Sequence, residues 1–285
     1  MKYPHIPVYI LAAAMSTSTL ALAGDYHDDD DEEPFDEARL FFELNDTDGD
    51  LGIHGKIDGD EWKSLEIEDP HDRRMLLVQV RGRLKRQGLT ELFFESAEPT
   101  FDELDPDKFF RRFPQGEYDI EGMTLDGEER ESEVYLSHVI PAAPDGVTVN
   151  GEDAAEDCDS ELPVIDPLGG VVISWDPVTM SHAVKHGEDG LGVDGVIEVR
   201  YYEVVVEIDE TDFKSVAIVP PDVNEWTLAE EFFDLSEEGE YKFEILVRTN
   251  VHDADGNPVL VEIDGEENQP LPGNKSAVES CFEVE

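Results

Sequence analysis

Cysteine and positive charge are both scarce in this chain. Cysteine occurs only twice in 285 residues, at Cys158 and Cys281. Two thiols so far apart make neither a C-x-x-C redox pair nor a four-thiolate zinc site. Lysine and arginine number 20 against 71 aspartates and glutamates, a net charge of −51. Cations so outnumbered cannot displace counterions from a phosphate backbone, which excludes a general nucleic-acid binder. An anionic membrane surface repels the chain for the same reason. No apolar run approaches the ~20 residues that span a bilayer. Nucleophile-elbow, H-E-x-x-H, phosphate-loop and dinucleotide signatures are absent as well. Paired acids carry no information about catalysis, because among 71 of them some pair meets any acid/base spacing by chance.

What is present suffices for real cores. Hydrophobic residues make up 39% and aromatics 9% of the chain, unlike a disordered polyacid. The length corresponds to about two domains at roughly 150 residues each. The first residues have the three parts of a secretory leader: Lys2, the apolar run Val8–Met15, and Ala21-Leu22-Ala23 before a cleavage point at Gly24. Loss of residues 1–23 removes Lys2 and no acid, so the expected exported chain carries −52. Its address is then periplasmic or extracellular, without a membrane span. Such charge density makes the folded state repel itself, so stability should rise with salt or bound cations. Residues 24–36 (GDYHDDDDEEPFD) form a like-charge lead, expected to be disordered.

From residue 37 to 140, short apolar segments separated by Gly and Asp predict a β-rich domain. Strand candidates are Ala38–Leu44, Ile53–Ile57, Trp62–Ile67, Met75–Val80, Leu89–Glu95, Tyr118–Leu125 and Glu133–Val139. Asp105-Pro106 opens a short helix, with Asp as cap and Pro in the first turn. The basic residues Arg73, Arg74, Arg81, Arg83, Lys85, Arg86, Arg111 and Arg112 fall in this half and are expected to pair with neighbouring carboxylates. The stiff segment Ile140-Pro141-Ala142-Ala143-Pro144 marks the boundary.

Beyond it, Val171–Trp175, Arg200–Ile208, Ser215–Val219, Glu225–Leu228, Tyr241–Arg248 and Ser276–Val284 are strand candidates. A proline-rich start, Trp175 on the second strand, Tyr202 opening the third, and Leu235 six residues before Tyr241 resemble a fibronectin type III domain over residues 141–285. The resemblance implies a β-sandwich with a tyrosine corner at Leu235 and Tyr241. The chain departs from the family in the Ser236–Glu238 turn and in the long segments Asn150–Pro167 and Asn250–Asn274. The fold class expected is therefore mainly β, a β-rich domain with a short helix followed by an immunoglobulin-like sandwich. In an exported chain Cys158 and Cys281 are expected to oxidise to a structural disulfide.

Asn45–Glu61 (NDTDGDLGIHGKIDGDE) concentrates the chemistry. Asp46, Asp48 and Asp50 alternate across the permissive Gly49, the kind of oxygen donors that Ca²⁺ gathers six to eight at a time. The run resembles the first half of an EF-hand or dockerin-like loop. Leu51 stands where that pattern has glycine, and Ile57 where it has its closing glutamate, so Glu61 closes the shell only through a longer loop with Asp58 or Asp60. The same residues equally fit an acidic, glycine-rich hairpin, with Asp58-Gly59 as a turn. His182 and His186, four apart and followed by Glu188 and Asp189, fit either a zinc pair with a carboxylate or a solvated loop.

These features point to an exported, non-catalytic binding, adhesion or spacer protein with a calcium-stabilised N-terminal domain. Its partner would be a protein or glycan at the cell exterior, met by the Asn250–Asn274 and His182–Gly192 segments. The alternatives are an accessory module or small hydrolase with a calcium-dependent site near Asp46–Glu61, and a plain cation buffer.

Overall fold

The computed structural model describes residues 33–208, 211, 213–235 and 239–284. The expected leader and residues 24–32 of the lead lie outside them. The lead does not extend to Asp36, however. Phe35 is buried and its N–H donates to Ser132 Oγ at 3.0 Å, while Glu33 pairs with Arg130. An aromatic ring gives this end of the run something to bury.

The first half is built on one long strand. β1 (Glu37–Asn45) and β2 (Asp50–Glu68) form an antiparallel hairpin. The sequence predicted two strands within β2, split by an Asp58-Gly59 turn. The chain instead runs straight on with a bulge between Asp58 and Trp62. Gly59 does not adopt a positive φ. Its missing side chain makes room for Phe35, as does that of Gly122, where a Cβ would meet Phe35 Cζ at 2.4 Å. The bulge lets β2 change partners, which a turn would not. β3 (Arg74–Gln79) and β5 (Gly116–Thr124) flank its later part, β4 (Leu89–Glu95) its earlier part, and β6 (Glu129–Leu136) completes the sheet beside β5. α1 (Pro106–Arg112) starts as expected, with Asp105 accepting the Lys108 N–H, and inserts Phe109 into the core around Phe42, Trp62 and Ile120.

The second half is a two-layer sandwich. β7 (Asp145–Val149), β8 (Glu152–Asp153), β10 (Val171–Asp176) and β13 (Glu225–Leu228) form one layer in the order β13-β10-β7-β8. β11 (Val199–Ile208), β12 (Lys214–Val219), β14 (Gly239–Asn250) and β17 (Pro272–Val284) form the other, in the order β12-β11-β14-β17. This crossing of strands between layers is that of an immunoglobulin-like, fibronectin type III-like sandwich. Alternate residues of β10, β11 and β14 fill its interior, among them Ile173, Trp175, Val204, Val206, Phe243 and Ile245. Tyr202 packs on Trp175 and its hydroxyl accepts the Val178 N–H at 2.9 Å. At the corner the sequence misplaced one residue: Leu235 is 50% exposed, and Phe233 from α3 (Glu230–Phe233) packs on Tyr241 and Phe282 instead.

The two halves share a sheet. β17 would be an open edge, but β1 pairs with it in parallel, Glu43 opposite Lys275 and Asn45 opposite Ala277, and β9 (Val164–Ile165) pairs with its far end. Covering an edge this way removes a template for aggregation. The resulting path runs β12-β11-β14-β17-β1-β2-β5-β6. The two segments expected to meet a partner are engaged within the chain. Asn250–Asn274 contains the hairpin β15 (Leu260–Ile263) and β16 (Glu266–Pro270), and Asp264 N–H donates to Asp36 O at 2.8 Å. His182–Gly192 holds α2 (His182–His186), and Val193 N–H just beyond it donates to His138 O.

Candidate functional site: the acidic hairpin and its surroundings

The β1–β2 loop folds on itself before it meets anything else. Asn45 Oδ1 accepts the N–H groups of Thr47 and Asp48 at 3.1 and 3.3 Å, and Gly49 turns the chain at φ 66°. The loop then docks on β17. Asp46 N–H donates to Ala277 O, Thr47 Oγ1 donates to Glu279 O, and Glu279 N–H donates back to Thr47 Oγ1 at 2.9 Å. With the backbone so committed, the three aspartates point to different neighbours.

Asp46 meets α2. His182 Nε2 lies 3.1 Å from Asp46 Oδ1, and the His182 and His186 rings stack with centroids 4.2 Å apart. Among the described residues, the donor atoms of Asp46, His182 and His186 come within 4.8 Å of one another. The carboxylate is thus Asp46, from the other half of the chain, and not Glu188 or Asp189. Hydrogen bonding decides what the trio does. Leu191 N–H donates to His182 Nδ1 at 2.9 Å, so in the neutral ring Nε2 carries the proton and donates it to Asp46. A metal on Nε2 would need the opposite tautomer, with Nδ1–H facing an acceptor. The trio is a clip joining the hairpin to α2. Its hydrogen bond from His182 holds the Asp46 carboxyl below its usual range against the opposing effect of burial, and burial followed by the nearby His182 holds His186 below its own. Asp46→Ala should cost about 1–3 kcal/mol in urea unfolding, unaltered by chelator or zinc. A zinc-induced rise in melting temperature that vanished in this variant would make the trio a metal site after all.

Asp48 and Asp50 face a carboxylate patch. Asp48 accepts a bond from Asn45 Nδ2 at 3.1 Å, and Asp50 opens β2 opposite Thr100. Around Asp50 stand Glu43 on β1, Glu98, and Glu279 on β17, and Glu43 and Glu279 in turn face Glu244 on β14. Gly52 creates the space for Glu98, whose Oε1 would lie 2.4 Å from a Cβ there. Counter-charges are fewer: Lys275 pairs with Glu43, Lys242 with Glu279, and His54 lies 3.0 Å from Glu98. Burial, then the charges of Glu98, Asp48, Glu279 and Glu43, raise Asp50 to about 6. Burial, then Glu43 and Glu279, raise Glu244 to about 7.

The predicted calcium set therefore divides. Asp48 and Asp50 share the patch and Asp46 is held by His182. Asp58 and Glu61 lie farther along β2, on the order of 25 and 35 Å from Asp50 at the ~3.3 Å rise of a strand. Asp58 accepts its own neighbour's N–H, from Gly59, and no single ion can join it to Asp48. The EF-hand geometry fails because the chain leaves the loop as a strand that extends without turning. The patch acids Glu43, Glu98, Glu244 and Glu279 were not singled out from sequence. The pairing of β1, β14 and β17 assembles Glu43, Glu244 and Glu279, and Gly52 on β2 admits Glu98 beside them.

The arginines also divide. Arg73 bonds Asp69 through Nε and Nη2, and Arg74 pairs with Glu66. Arg81 bonds the neutral Gln79. Among the described residues Arg83, Lys85, Arg86, Arg111 and Arg112 form no ion pair, since they project into solvent from the 3-10 turn between β3 and β4 and from a helix face. Cys158 and Cys281 form the expected disulfide, with Cα atoms 4.9 Å apart.

No protein-family description matches the chain, and no curated protein matches it. Solved structures with some similarity include the chicken CNTN1 FN1–FN3 domains, at 11% identity over 88% of this chain and 69% of that one, TM-score 0.29. A two-domain fibronectin type III segment of chicken tenascin covers 83% of this chain and 95% of its own at 12% identity, TM-score 0.24. A Ca²⁺-stabilized adhesin of an Antarctic bacterium covers 87% and 50% at 16% identity, TM-score 0.22. The sandwich assignment rests on the strand order above. Among the described residues no helix is long and apolar enough to cross a membrane.

Proposed function

We propose that this chain is a non-catalytic binding or spacer module of the cell exterior, stiffened by divalent cations, calcium foremost, at the carboxylate patch. The observation that carries the proposal is the origin of the patch. Glu43, Asp50 and Glu98 come from the first half and Glu244 and Glu279 from the second, on either side of the β1–β17 junction. A cation among them would offset their repulsion and hold the junction closed. Calcium tolerates irregular, expandable oxygen shells, whereas magnesium demands a tight octahedron. Export is supported by the leader pattern of residues 1–23 and by the disulfide, which persists in oxidising compartments. The extended sheet spanning both halves suits a part that transmits force or sets distance.

The test is calorimetry on the exported chain at pH 6.5 and fixed ionic strength. Calcium at a hundred times its Kd should add about 2.7 kcal/mol of stability, more than magnesium does. Titrations in buffers of different ionisation enthalpy should show protons released, because the ion displaces those held by Asp50 and Glu244. Melting temperatures that follow ionic strength alone, with no proton release, would reduce the patch to ordinary polyanion behaviour.

A further inference from the structure

One cleft in the first half reverses the charge balance of the chain. It measures about 500 Å³ and opens to solvent, within the ~300–1,000 Å³ that holds small ligands. Arg73, Arg111, His71 and His138 line it against a single acid, Asp107. In a protein with 71 acids and 20 lysines and arginines, such a wall is the opposite of what composition supplies. Phe110 and Pro114 add apolar surface, and Gln115 adds an amide.

Local structure fixes these groups before any ligand arrives. Asp69, buried just after β2, accepts the His71 N–H at 2.9 Å and the Arg73 N–H at 3.2 Å on one oxygen. Its other oxygen takes Arg73 Nε and Nη2 at 2.9 and 2.6 Å. Those bonds use one edge of the guanidinium and leave its Nη1–Nη2 end to fork onto a second carboxylate. Arg111 comes from the last turn of α1, is exposed, and has no ion pair among the described residues. Gln115 Oε1 accepts the His138 N–H at 2.8 Å, which leaves the Gln115 amide hydrogens as donors. His138 Nε2 donates to Phe113 O at 2.8 Å, so Nδ1 of the neutral ring is an acceptor. Burial, partly offset by that bond, holds the ring below its ordinary value and keeps it neutral at pH 7.5. Phe110 packs on His138 and Phe42, with centroids 4.7 and 5.7 Å away.

We propose that this cleft binds an acidic sugar, a uronate unit of an exterior glycan, whose carboxylate is received by Arg73 and Arg111. Phe110 and Pro114 suit the C–H face of a sugar ring. Asp107 and His138 Nδ1 accept from its hydroxyls, and Gln115 donates to them. An acidic peptide fits less well: it brings a second charge toward Asp107 and no hydroxyls for these acceptors. The overall negative charge does not forbid the approach, because at 0.15 M salt fields are screened beyond about 8 Å. The site deepens the binding-module reading, on which it rests, and shares no residue with the carboxylate patch. In calcium-free buffer its titration therefore succeeds or fails independently of the calcium melts.

The experiment titrates the ¹⁵N-labelled exported chain with sodium digalacturonate at pH 7.5 in calcium-free 0.15 M NaCl. Saturable backbone amide shifts at His71, Arg111, Gln115 and His138 are expected. The dimethyl ester of the same disaccharide, which lacks the charge, should bind about tenfold or more weakly. Arg111→Gln should weaken digalacturonate by a similar factor, and Arg111→Lys, which keeps the charge but loses the fork, should recover only part of it. Arg111 is exposed, so neither change should move the melting temperature. Arg112→Gln makes the same charge change on the same helix outside the cleft, and should leave the affinity within about twofold, as local screening requires. Equal binding of the ester, an equal loss in Arg112→Gln, or no saturable shift at these residues overturns the site. A tetra-aspartate peptide that shifts the same amides at lower concentration overturns the sugar as its ligand.

Discussion

Replacing Cys158 and Cys281 together by alanine should remove about 4–5 kcal/mol of stability, seen as a lower urea midpoint followed by tryptophan fluorescence. The bridge closes a loop with a sequence separation of 123, which contains β9 to β16 and most of β17. Nearly the whole sandwich is therefore pre-constrained in the unfolded chain, and the loss of that constraint sets the size of the effect. The native surroundings add to it. Cys281 is buried on β17, whose end pairs with β9, and Ser280 Oγ donates to Ala155 O at 2.8 Å beside the bridge. Because β17 also carries β1, the loosened strand should weaken the first half too, and the variant should still unfold in one transition. Under a reductant the native chain should follow the same curve. A loss under 1 kcal/mol would mean that the unfolded chain is already compact enough for the cross-link to be redundant.

Much of this architecture is visible in the sequence because strands announce themselves locally. Val171–Trp175, Arg200–Ile208 and Glu225–Leu228 alternate or cluster β-branched and aromatic residues, and the structure places strands there. Asp105-Pro106 marks its helix by capping chemistry, which is equally local. Glycine misleads where it serves packing instead of turning. Gly59 leaves space for Phe35 from a segment whose charge suggested disorder, and so a continuous strand resembled a hairpin. Phe233 displaces Leu235 at the sandwich corner because a short helix brings it round onto Tyr241.

The site was harder to read, for a different reason. Asp46, Asp48 and Asp50 draw attention by spacing, but spacing specifies a shell only if the backbone coils around a point. Here the loop is fastened to β17 through Thr47, which sends Asp46 to His182 and leaves Asp48 and Asp50 facing acids from distant strands. The His182–Asp46 pair joins residues 136 apart in sequence, and Glu244 meets Glu279 only through the register of β14 on β17. Among 71 acids no local rule selects those two. Pairing between strands carries that information, and pairing is not local.

Glu244→Gln should stabilise the chain by about 3 kcal/mol at pH 8 and by little at pH 4. Unfolded, Glu244 ionises near 4.5; folded, burial and the charges of Glu43 and Glu279 defer this to about 7. Between those values the native state holds a proton that the unfolded chain has released, so this carboxyl makes stability fall as pH rises through the window. Asp50, raised to about 6, acts in the same direction, though its greater exposure lessens the effect. Asp46, Asp69 and Asp145 act oppositely: held below the usual range, they contribute stability that is lost as pH falls below about 4. His138, held below its ordinary value by burial, also favours higher pH below about 6.5. The difference between native and Glu244→Gln chains cancels these other groups, so urea midpoints at pH 4, 6 and 8 isolate the one carboxyl. The gap should open mostly between pH 4.5 and 7. Calcium should then narrow it at pH 8, because the ion offsets in the native chain the same repulsion that the amide removes. A gap of equal size at pH 4 and pH 8 would show that the substitution acts through packing alone, and that no charge is stored between β14 and β17.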